Sequence, residues 1–571
     1  MITLMFGAEA RAEVLKGMHK LYLAVSKTAG PSGRCTVIQD RDQLYVTKDG
    51  ASTARYIASQ GLMDMFERAG ATLLRKASQK AEEDAGDGTT AATVFAYELA
   101  TRALKYVDEH KGANVIRVKK GMEKALKKVE EFLKELGTPA KKKEDWRNVA
   151  FISSQDEEIA DMIADAMDKV GPEGHIRVEK GDDWKEHDME LEVRKGMEFD
   201  RGFRTPLCIT DLKKRLCHLT DVPVLVTDLK LTKKKQYDQL QAICNGVITE
   251  LGQRQIVLIA LQFAPTAEEF IALNNTAYNE SGGTQAIRIL AFDVPGYGSS
   301  YTEEFAGDIA ALTGATLISE TQGTSLDDFN LKMLGRAEIV ESDRKTTRII
   351  NQKADQEAID RRLAEIESVE NNKPSELEKR RMKERRSSLT TGMAVITVGG
   401  HLDLAVSEKK DRVDDAVLSA KCAFEEGILP GGGVAFIRAI EAISDMEGDN
   451  EDEEVGIRIL EQSLEAPIRM IASNCGIDNV DDIVHNVKAG EENMGYDFSE
   501  SHDQMVDLME AGIVDPVKVC NFALRHGMEN AGVFLIMETI GVTVPVDAHN
   551  RPIIELIRGD AAERIAQKAT E

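Results

Sequence analysis

The chain has little of what a secreted, membrane or nucleic-acid-binding protein needs. Its seven cysteines are scattered, odd in number and without a C-x-x-C pair. That excludes a disulfide frame and a zinc ribbon, and it points to reduced thiols in a cytoplasmic compartment. No apolar run nears the length of a membrane span, and the opening MITLMFGAEARAEVLKGMHK has neither a long apolar core nor a cleavage signature. Excess positive charge is missing as well: the formal net charge is −26. Nucleic acid and anionic membranes reward clustered Lys and Arg, so neither is expected as a partner. Aromatic residues are only 5% of the chain. What remains is the 42% apolar, 30% charged composition of a globular protein, and 571 residues are too many for one core.

The stretch that organises the chain is Ala85-Gly86-Asp87-Gly88-Thr89-Thr90-Ala91-Ala92-Thr93. Ala92, Phe95, Ala96, Leu99 and Ala103 follow it at helical period. Glycines at 86 and 88 let the backbone come close to a ligand. Thr89 and Thr90 bring hydroxyls and free N–H groups to a helix N-terminus, which suits phosphate. Asp87 is placed to share a Mg²⁺ with phosphate oxygens. Alone, the stretch reads equally well as a loop with a helix cap.

Before it, a helix is expected over 9–29, ending at Gly30-Pro31. Two short strands, Thr36–Ile38 and Tyr45–Thr47, lead into the turn Lys48-Asp49-Gly50. Leu62, Met65, Phe66, Ala69 and Leu73 mark a further helix, and another covers about 113–136. The run Thr138-Pro139-Ala140-Lys141-Lys142-Lys143 reads as a domain boundary, followed by an acidic helix over 156–170 and a strand over 174–180. From about 195 strand-like runs at 222–227, 256–261, 287–292 and 315–319 alternate with helical patterns at about 232–252, 266–280 and 301–313, which argues a layered α/β domain. Residues 355–388 read as a charged helix hairpin broken at Asn371-Asn372-Lys373-Pro374. Its KRRMKERR run is flanked by Glu365, Glu367, Glu370, Glu376, Glu378 and Glu384, the pattern of a solvated face rather than a nucleic-acid site. A strand at 394–398, a long helix over about 409–427, the turn Pro430-Gly431-Gly432-Gly433, a solvated acidic loop (EGDNEDEE, 447–454) and a remainder that reads as helical to the end complete the chain. The glycine and carboxylate turns lie towards both ends and the α/β block in the middle, so the ends are expected to fold together around an insertion.

In order, Thr28-Ala29-Gly30-Pro31, Thr47-Lys48-Asp49-Gly50, Ala85 to Thr90, Ala166 to Gly171, Gly196 to Phe203, Pro295-Gly296-Tyr297-Gly298, Asp308 to Gly314, Arg412 to Ala416, Glu425-Glu426-Gly427 with Gly431 to Ala435, and Ile513 to Pro516 resemble the group I chaperonins of the GroEL/Hsp60 type. The resemblance spans nearly the whole chain and marks it as a divergent member. It implies a mixed α and α/β multidomain fold. A mainly helical equatorial ATP-binding domain would come from 1–136 and 425–571. A small α/β intermediate hinge domain would come from 137–194 and 394–424, and a layered α/β apical domain from 195–393. It also implies homo-oligomeric rings of about seven subunits, non-native polypeptide as client, and a lid co-chaperonin. Turnover of ATP with Mg²⁺ and a monovalent cation such as K⁺ would drive capture and release.

Carried over by position, Thr28, Ala29, Gly30, Pro31, Lys48, Asp87, Gly88, Thr89, Thr90, Ala91, Gly431, Gly432, Asp497 and Asp515 would line the nucleotide. Asp87 would hold Mg²⁺, while Thr28, Lys48 and Thr90 would lie near K⁺. Asp415 would position or activate the attacking water, with Asp49 as a second acid. Hydrolysis would then rest on positioning and charge neutralisation. Asp415, just before a long helix, would reach the site only by hinge closure. Each acid also has a plain structural reading: Asp415 as a helix N-terminal acid, Asp49-Gly50 as a turn, Asp515 as a helix start. Phe203, Leu207, Cys208, Tyr237, Leu240, Phe270 and Leu273 would form the client surface, although such stripes are as often core.

Several positions depart from the family pattern. Ala91 stands where a third threonine is usual, Asp497-Phe498-Ser499 replaces Asn-Ala-Ala, and Ala29 and Pro430 are smaller changes. The two apical helices are less apolar than usual, with Lys233, Lys234, Lys235, Asn274 and Asn275 among them. A charged C-terminal segment carrying Ile554, Ile557 and Ile565 replaces a Gly-Gly-Met tail. The alternative to a folding machine is a ring-forming holding or scaffold protein with weak or lost ATPase activity. A small-molecule kinase finds no G-x-x-x-x-G-K-[ST] loop and no second pocket constellation.

Overall fold

The computed structural model describes residues 2–543 except 41–42, 59–63, 172–173, 182–188, 195, 200, 212–214, 233, 296–298, 322, 351–355, 371–377, 379–381, 383–384, 387–388, 390–392, 401–402 and 500–503. Leu62, Asp200, Lys233, Gly296 to Gly298, the 371–374 break and the C-terminal Ile554, Ile557 and Ile565 therefore lie outside the described residues. The chain divides into two compact units, one of residues 1–165, 178–190 and 397–571, the other of 166–177 and 191–396. Both ends thus belong to one unit and the middle to the other.

The first unit opens with β1 (Ile2–Phe6) and α1 (Gly7–Ser26), then the hairpin of β2 (Thr36–Asp40) and β3 (Gln43–Thr47). The short α2 (Gly50–Tyr56), α3 (Met65–Ala85), α4 (Thr89–Glu109), α5 (Val115–Leu136) and α6 (Lys143–Ser154) follow. Polar caps start several of them: Asp64 accepts from Phe66 and Glu67 N–H, and Asn114 from Ile116 and Arg117 N–H. In α5, Val118, Met122, Leu126, Val129 and Leu133 recur on one face and are buried. The helix α7 (Glu157–Val170) leads towards the middle of the chain.

In the second unit the strands are β4 (His175–Lys180) and β5 (Met189–Arg194), both shared by sequence with the first unit, then β6 (Gly196–Phe199), β7 (Cys217–Val226) and β8 (Lys230–Leu231). After them come α8 (Lys234–Thr249), β9 (Gln255–Ala260), β10 (Gln262–Phe263), α9 (Pro265–Glu280), β11 (Arg288–Asp293), α10 (Ser299–Thr313), β12 (Gly335–Ser342), β13 (Thr347–Ile350) and α11 (Gln356–Glu370). A six-stranded sheet runs β11-β9-β7-β12-β13-β6, parallel over its first three strands and antiparallel beyond. Its parallel strands read as unbroken apolar runs because both faces are covered. Val224, Val226, Val257, Ile259, Leu290 and Phe292 point into one core with Phe305, Ile309 and Ile359. The alternate residues Leu225, Ile256, Leu258, Ile289 and Ala291 point into a second core with Leu240, Val247 and Ile271. Asp308, fully buried on α10, is gripped by Arg385 and Arg362. The strand expected at 315–319 is reduced to a single bridge, Thr227 to Ile318, because the segment touches the sheet at one point only.

The chain returns through β14 (Met393–Val398), α12 (Asp403–Glu426), β15 (Ile428–Pro430), α13 (Val434–Ser444), α14 (Glu451–Ser463), α15 (Ala466–Asn474), α16 (Val480–Ala489), β16 (Met494–Tyr496), β17 (Met505–Asp507), β18 (Val514–Pro516), α17 (Val517–Leu535) and β19 (Thr539–Thr543). The expected all-helical remainder is corrected here. Short strands pair within it, and β19 runs antiparallel to β1, Ile2 opposite Thr543. The acidic run at 447–454 is not simply solvated either. Glu453 is buried between Lys120 and Lys124, and the hydrogen bond from Lys120 holds its carboxyl down to about 2.

One core joins α1, α3, α4, α5, α13, α14 and α17, with Phe95 edge-on to Phe436 at 4.9 Å. Two crossings in it are backbone to backbone. A Cβ on Gly70 would lie 1.9 Å from the Val14 carbonyl oxygen, and one on Gly121 2.0 Å from that of Glu453. Neither neighbour is a flexible side chain, so the helices must move apart to admit a methyl. We expect Gly70→Ala to lower the urea midpoint by the equivalent of about 1–3 kcal/mol, whereas an unchanged midpoint would mean that the α1–α3 crossing is looser than described.

Candidate functional site

The site is built where α3 hands over to α4. Gly86 ends α3 in the left-handed region (φ 71°) and Gly88 precedes α4 there too (φ 79°). Gly88 offers α4 no capping side chain, so the first-turn N–H groups await an acceptor from outside the helix. The 48–50 turn abuts this one: a Cβ on Gly50 would fall 2.5 Å from Thr90 Oγ1 and 2.8 Å from Thr89 Oγ1.

Asp87 sits in the turn with both oxygens engaged. Gly88 N–H donates to Oδ1, while the hydroxyls of Ser153 (3.0 Å) and Ser419 donate to Oδ2. An ionised carboxylate has about four acceptor positions, so capacity for a cation remains. Among the described residues no group of three or more His, Cys, Asp or Glu is placed to hold a metal. A Mg²⁺ shared with phosphate and water would ask for little more from the protein than one such carboxylate. Two of the positions expected near potassium are engaged in hydrogen bonds. The Thr28 hydroxyl donates to the Val25 carbonyl (2.9 Å), and the Lys48 ammonium, which has no lone pair, donates to Gln155.

The two acids expected to act in catalysis sit at the start of α2 and within α12. Asp49 is the cap of α2, accepting from Ala51 N–H (3.0 Å) and Ser52 N–H (2.7 Å), so its plain structural reading holds whatever else it does. Asp415 is not at the head of its helix: α12 starts at Asp403 and carries Asp415 mid-length. Burial raises the Asp415 carboxyl well above its usual range, and the charges of Asp49, Asp87, Asp411 and Glu82 push it further. Asp411 and Glu82 are themselves raised, first by burial and then by Asp49. Lys48 is lowered, mainly by burial. One helical turn beyond Asp415, Ser419 makes its bond to Asp87, so α12 delivers an acid and a hydroxyl to the same turn.

On the other side, Asp515 lies opposite Leu429 in the β15–β18 pair. Burial and the Asp87 charge push its carboxyl up to about 7, against the Gly432 N–H. Gly431 N–H bonds the Ile513 carbonyl (2.8 Å), and Gly432 (φ 63°) has open space where a Cβ would be. The Thr28–Pro31 turn is braced by α15: Asn474 donates to the carbonyls of Ser26 and Ala29, and Ala29 packs with Val94. Ala91 packs on the core of the unit. Asp497 is occupied locally, accepting from Ser499 N–H (2.8 Å) and Oγ (2.6 Å). Sequence reading missed Ser153, Ser419 and Gln155. Only Ser419 carried a signal, its spacing of four from Asp415.

In the second unit the expected client surface splits. Leu207 (39% exposed) and Leu273 (71%) are open, and Phe203, Tyr237 and Phe270 are partly buried. Tyr237 is tied through its hydroxyl to Leu231 O and Thr266. Cys208 and Leu240 are fully buried and are corrected to core: Leu240 is on the α8 face that covers the sheet.

Comparison with known proteins gives one family and one fold. The family model of the TCP-1/cpn60 chaperonin family matches residues 21–544. The chain is similar to two crystal forms of the chaperonin gp146 from the Pseudomonas aeruginosa bacteriophage EL 2, both in the presence of ATP-BeFx. Form II gives a TM-score of 0.66 and form I one of 0.64. Each is 19% identical, with 95% of this chain and 99% of that one covered.

The raised Asp515 carboxyl has a stability consequence. The folded state keeps a proton that the unfolded chain loses near the ordinary aspartate range, so stability falls as pH rises from about 4 to about 7. We expect Asp515→Asn to flatten that dependence in urea unfolding, by roughly 1–4 kcal/mol across the window. A variant curve parallel to the wild type would place the titration elsewhere.

Proposed function

The chain belongs to the TCP-1/cpn60 chaperonin family, and on that premise we propose that it is a ring-forming chaperonin driven by ATP hydrolysis. The observation that carries the ATPase is the meeting of α12 with the phosphate turn. Asp415 stands in the electrostatic field of Asp87, and Ser419 on the same helix bonds Asp87. The phosphates of ATP would take the free N–H groups of α4 and the hydroxyls of Thr89 and Thr90. Gly432 and Asp515 would face the ribose and base. A Mg²⁺ held by Asp87 would neutralise phosphate charge. Asp415 accepts the proton of the attacking water at its carboxylate, with Asp49 adding negative field. A raised carboxyl suits that task near neutral pH. The phosphoanhydride is then cleaved to ADP and phosphate. That the phage relative was crystallised with ATP-BeFx supports a nucleotide in this fold.

The three-domain division belongs to the same proposal, with 1–136 and 425–571 equatorial, 137–194 and 394–424 intermediate, and 195–393 apical. For ring assembly the support is two unfinished ribbons in the first unit. The β1–β19 pair exposes Ile2 (66%) and Phe6 (60%), and the β2–β3 hairpin exposes Val37 (63%) with Leu44. Among the described residues both ribbons are two-stranded, and such apolar ribbons are completed by further strands, which here would come from other copies of the chain, in rings of about seven. Leu207 and Leu273 would hold non-native polypeptide with a narrower apolar surface than usual, and a lid co-chaperonin would close the cavity.

Phosphate release by the purified chain, beside negative-stain electron microscopy with and without ATP and Mg²⁺, tests this reading. We expect rings that change shape with nucleotide, and turnover reduced about 10²-fold or more in Asp415→Ala. A wild-type chain that releases no phosphate would leave a holding or scaffold ring instead. Val37→Glu should shift the sedimenting species from ring to smaller forms; intact rings in that variant would remove the ribbon from the interface.

A further inference from the structure

The last turn of α3, Glu82-Glu83-Asp84-Ala85, contains no basic residue. Three carboxylates there face the negative end of the helix dipole, an unfavourable placement unless cations answer it. Lys80 answers Glu83 (2.5 Å) and Arg55 reaches Glu82 (3.6 Å). Asp84 is answered from α17: His526 Nε2 lies 2.8 Å from its Oδ2. The imidazole is 8% exposed, nearly parallel to the Phe522 ring at 5.6 Å, with Nδ1 3.4 Å from Glu529 Oε2. Its two nitrogens thus face carboxylates of two different helices.

The same helix supports the far side of the turn. Val519 Cγ1 and Ala523 Cβ lie 2.9 and 3.4 Å from where a Cβ on Gly88 would be. So α17 holds the α3–α4 handover at two points, under Gly88 by packing and behind Asp87 by the His526–Asp84 pair. Asp84 is only three residues from Asp87, and the intervening Ala85 carbonyl is bonded by Cys422 Sγ (3.2 Å).

We propose that His526 is a positioning residue for the nucleotide. By tying Asp84 to α17 it fixes the last turn of α3, and with it the Gly86–Thr90 turn that receives the phosphates. This rests on the nucleotide reading above. His526 touches no reacting group, so its loss should act on affinity more than on the chemical step.

The test uses the full-length chain. His526→Leu keeps bulk but cannot donate to Asp84; His526→Gln keeps a donor. With ring formation and thermal midpoint near wild type, we expect His526→Leu to raise KM for ATP about tenfold with kcat changed less than about threefold. His526→Gln should restore KM to within about twofold. Asp84→Ala should reproduce the Leu effect, and the double variant should be no worse than either single one. Amide hydrogen exchange gives a readout that needs no turnover: segment 85–92 should exchange about tenfold faster in His526→Leu, with α5 unchanged. An unchanged KM together with unchanged exchange overturns the proposal, as does failure of the Gln variant to restore either. If the wild type neither binds nor hydrolyses ATP, the functional reading falls, and exchange alone still decides whether His526 holds the turn.

Discussion

Mutual repulsion among acids gathered at the start of α4 is the constraint on which the first unit depends. Asp49, Glu82, Asp87, Asp411 and Asp415 lie in one another's fields around the first turn of α4, and Asp415, Asp411 and Glu82 are raised first by burial and then by those fields. A fold whose only task was stability would not gather them, because each acid disfavours ionisation of the next. On the proposed function, a divalent cation would answer the acids and phosphates would answer the helix N-terminus, and the arrangement would become favourable. The site would then be complementary to the charged pair and incomplete towards either partner alone.

Holding such groups in place requires a rigid support, and the helical core supplies it. α4 is packed between α1, α3 and α17, with buried Phe95, Leu99 and Ala103 on its inner face. Glycines at the α1–α3 and α5–α14 crossings bring backbones within the reach of a missing methyl. Interiors packed at that density transmit displacement rather than absorb it. A movement of α12, which carries both Asp415 and Ser419, is accordingly felt at Asp87.

Much of this was legible in the sequence because it is local. The GDGTT turn, the Lys48-Asp49-Gly50 turn and the alternating α/β block each declare themselves within a dozen residues, and the ordered set of motifs carried the family. What was not legible depends on partners far along the chain. Ser153 and Gln155 look like any helix-end polar residues until α6 is placed beside Asp87 and Lys48. Asp415 reads by resemblance as lying just before a long helix, whereas the structure starts that helix at Asp403 and carries Asp415 within it. Leu240 was assigned to a surface because a stripe on α8 fits groove and core alike, and only the sheet beneath it decides. The β1–β19 pair joins segments more than five hundred positions apart, and each is too short to read as a strand with confidence from period alone.

That last pairing bears on how the chain comes off the ribosome. The helices α1 to α5 emerge first, with the apolar faces that α13, α14 and α17 will cover. Some two hundred residues of the second unit are synthesised before any of those partners exists. That unit, nearly contiguous in sequence, has its own two cores and can fold while translation continues. The first unit cannot close until α17 is out, and β1 waits for nearly the whole chain. Each newly made copy thus passes through a period with its largest apolar surface half covered, so the molecule is, for that interval, the kind of polypeptide that a chaperonin takes in.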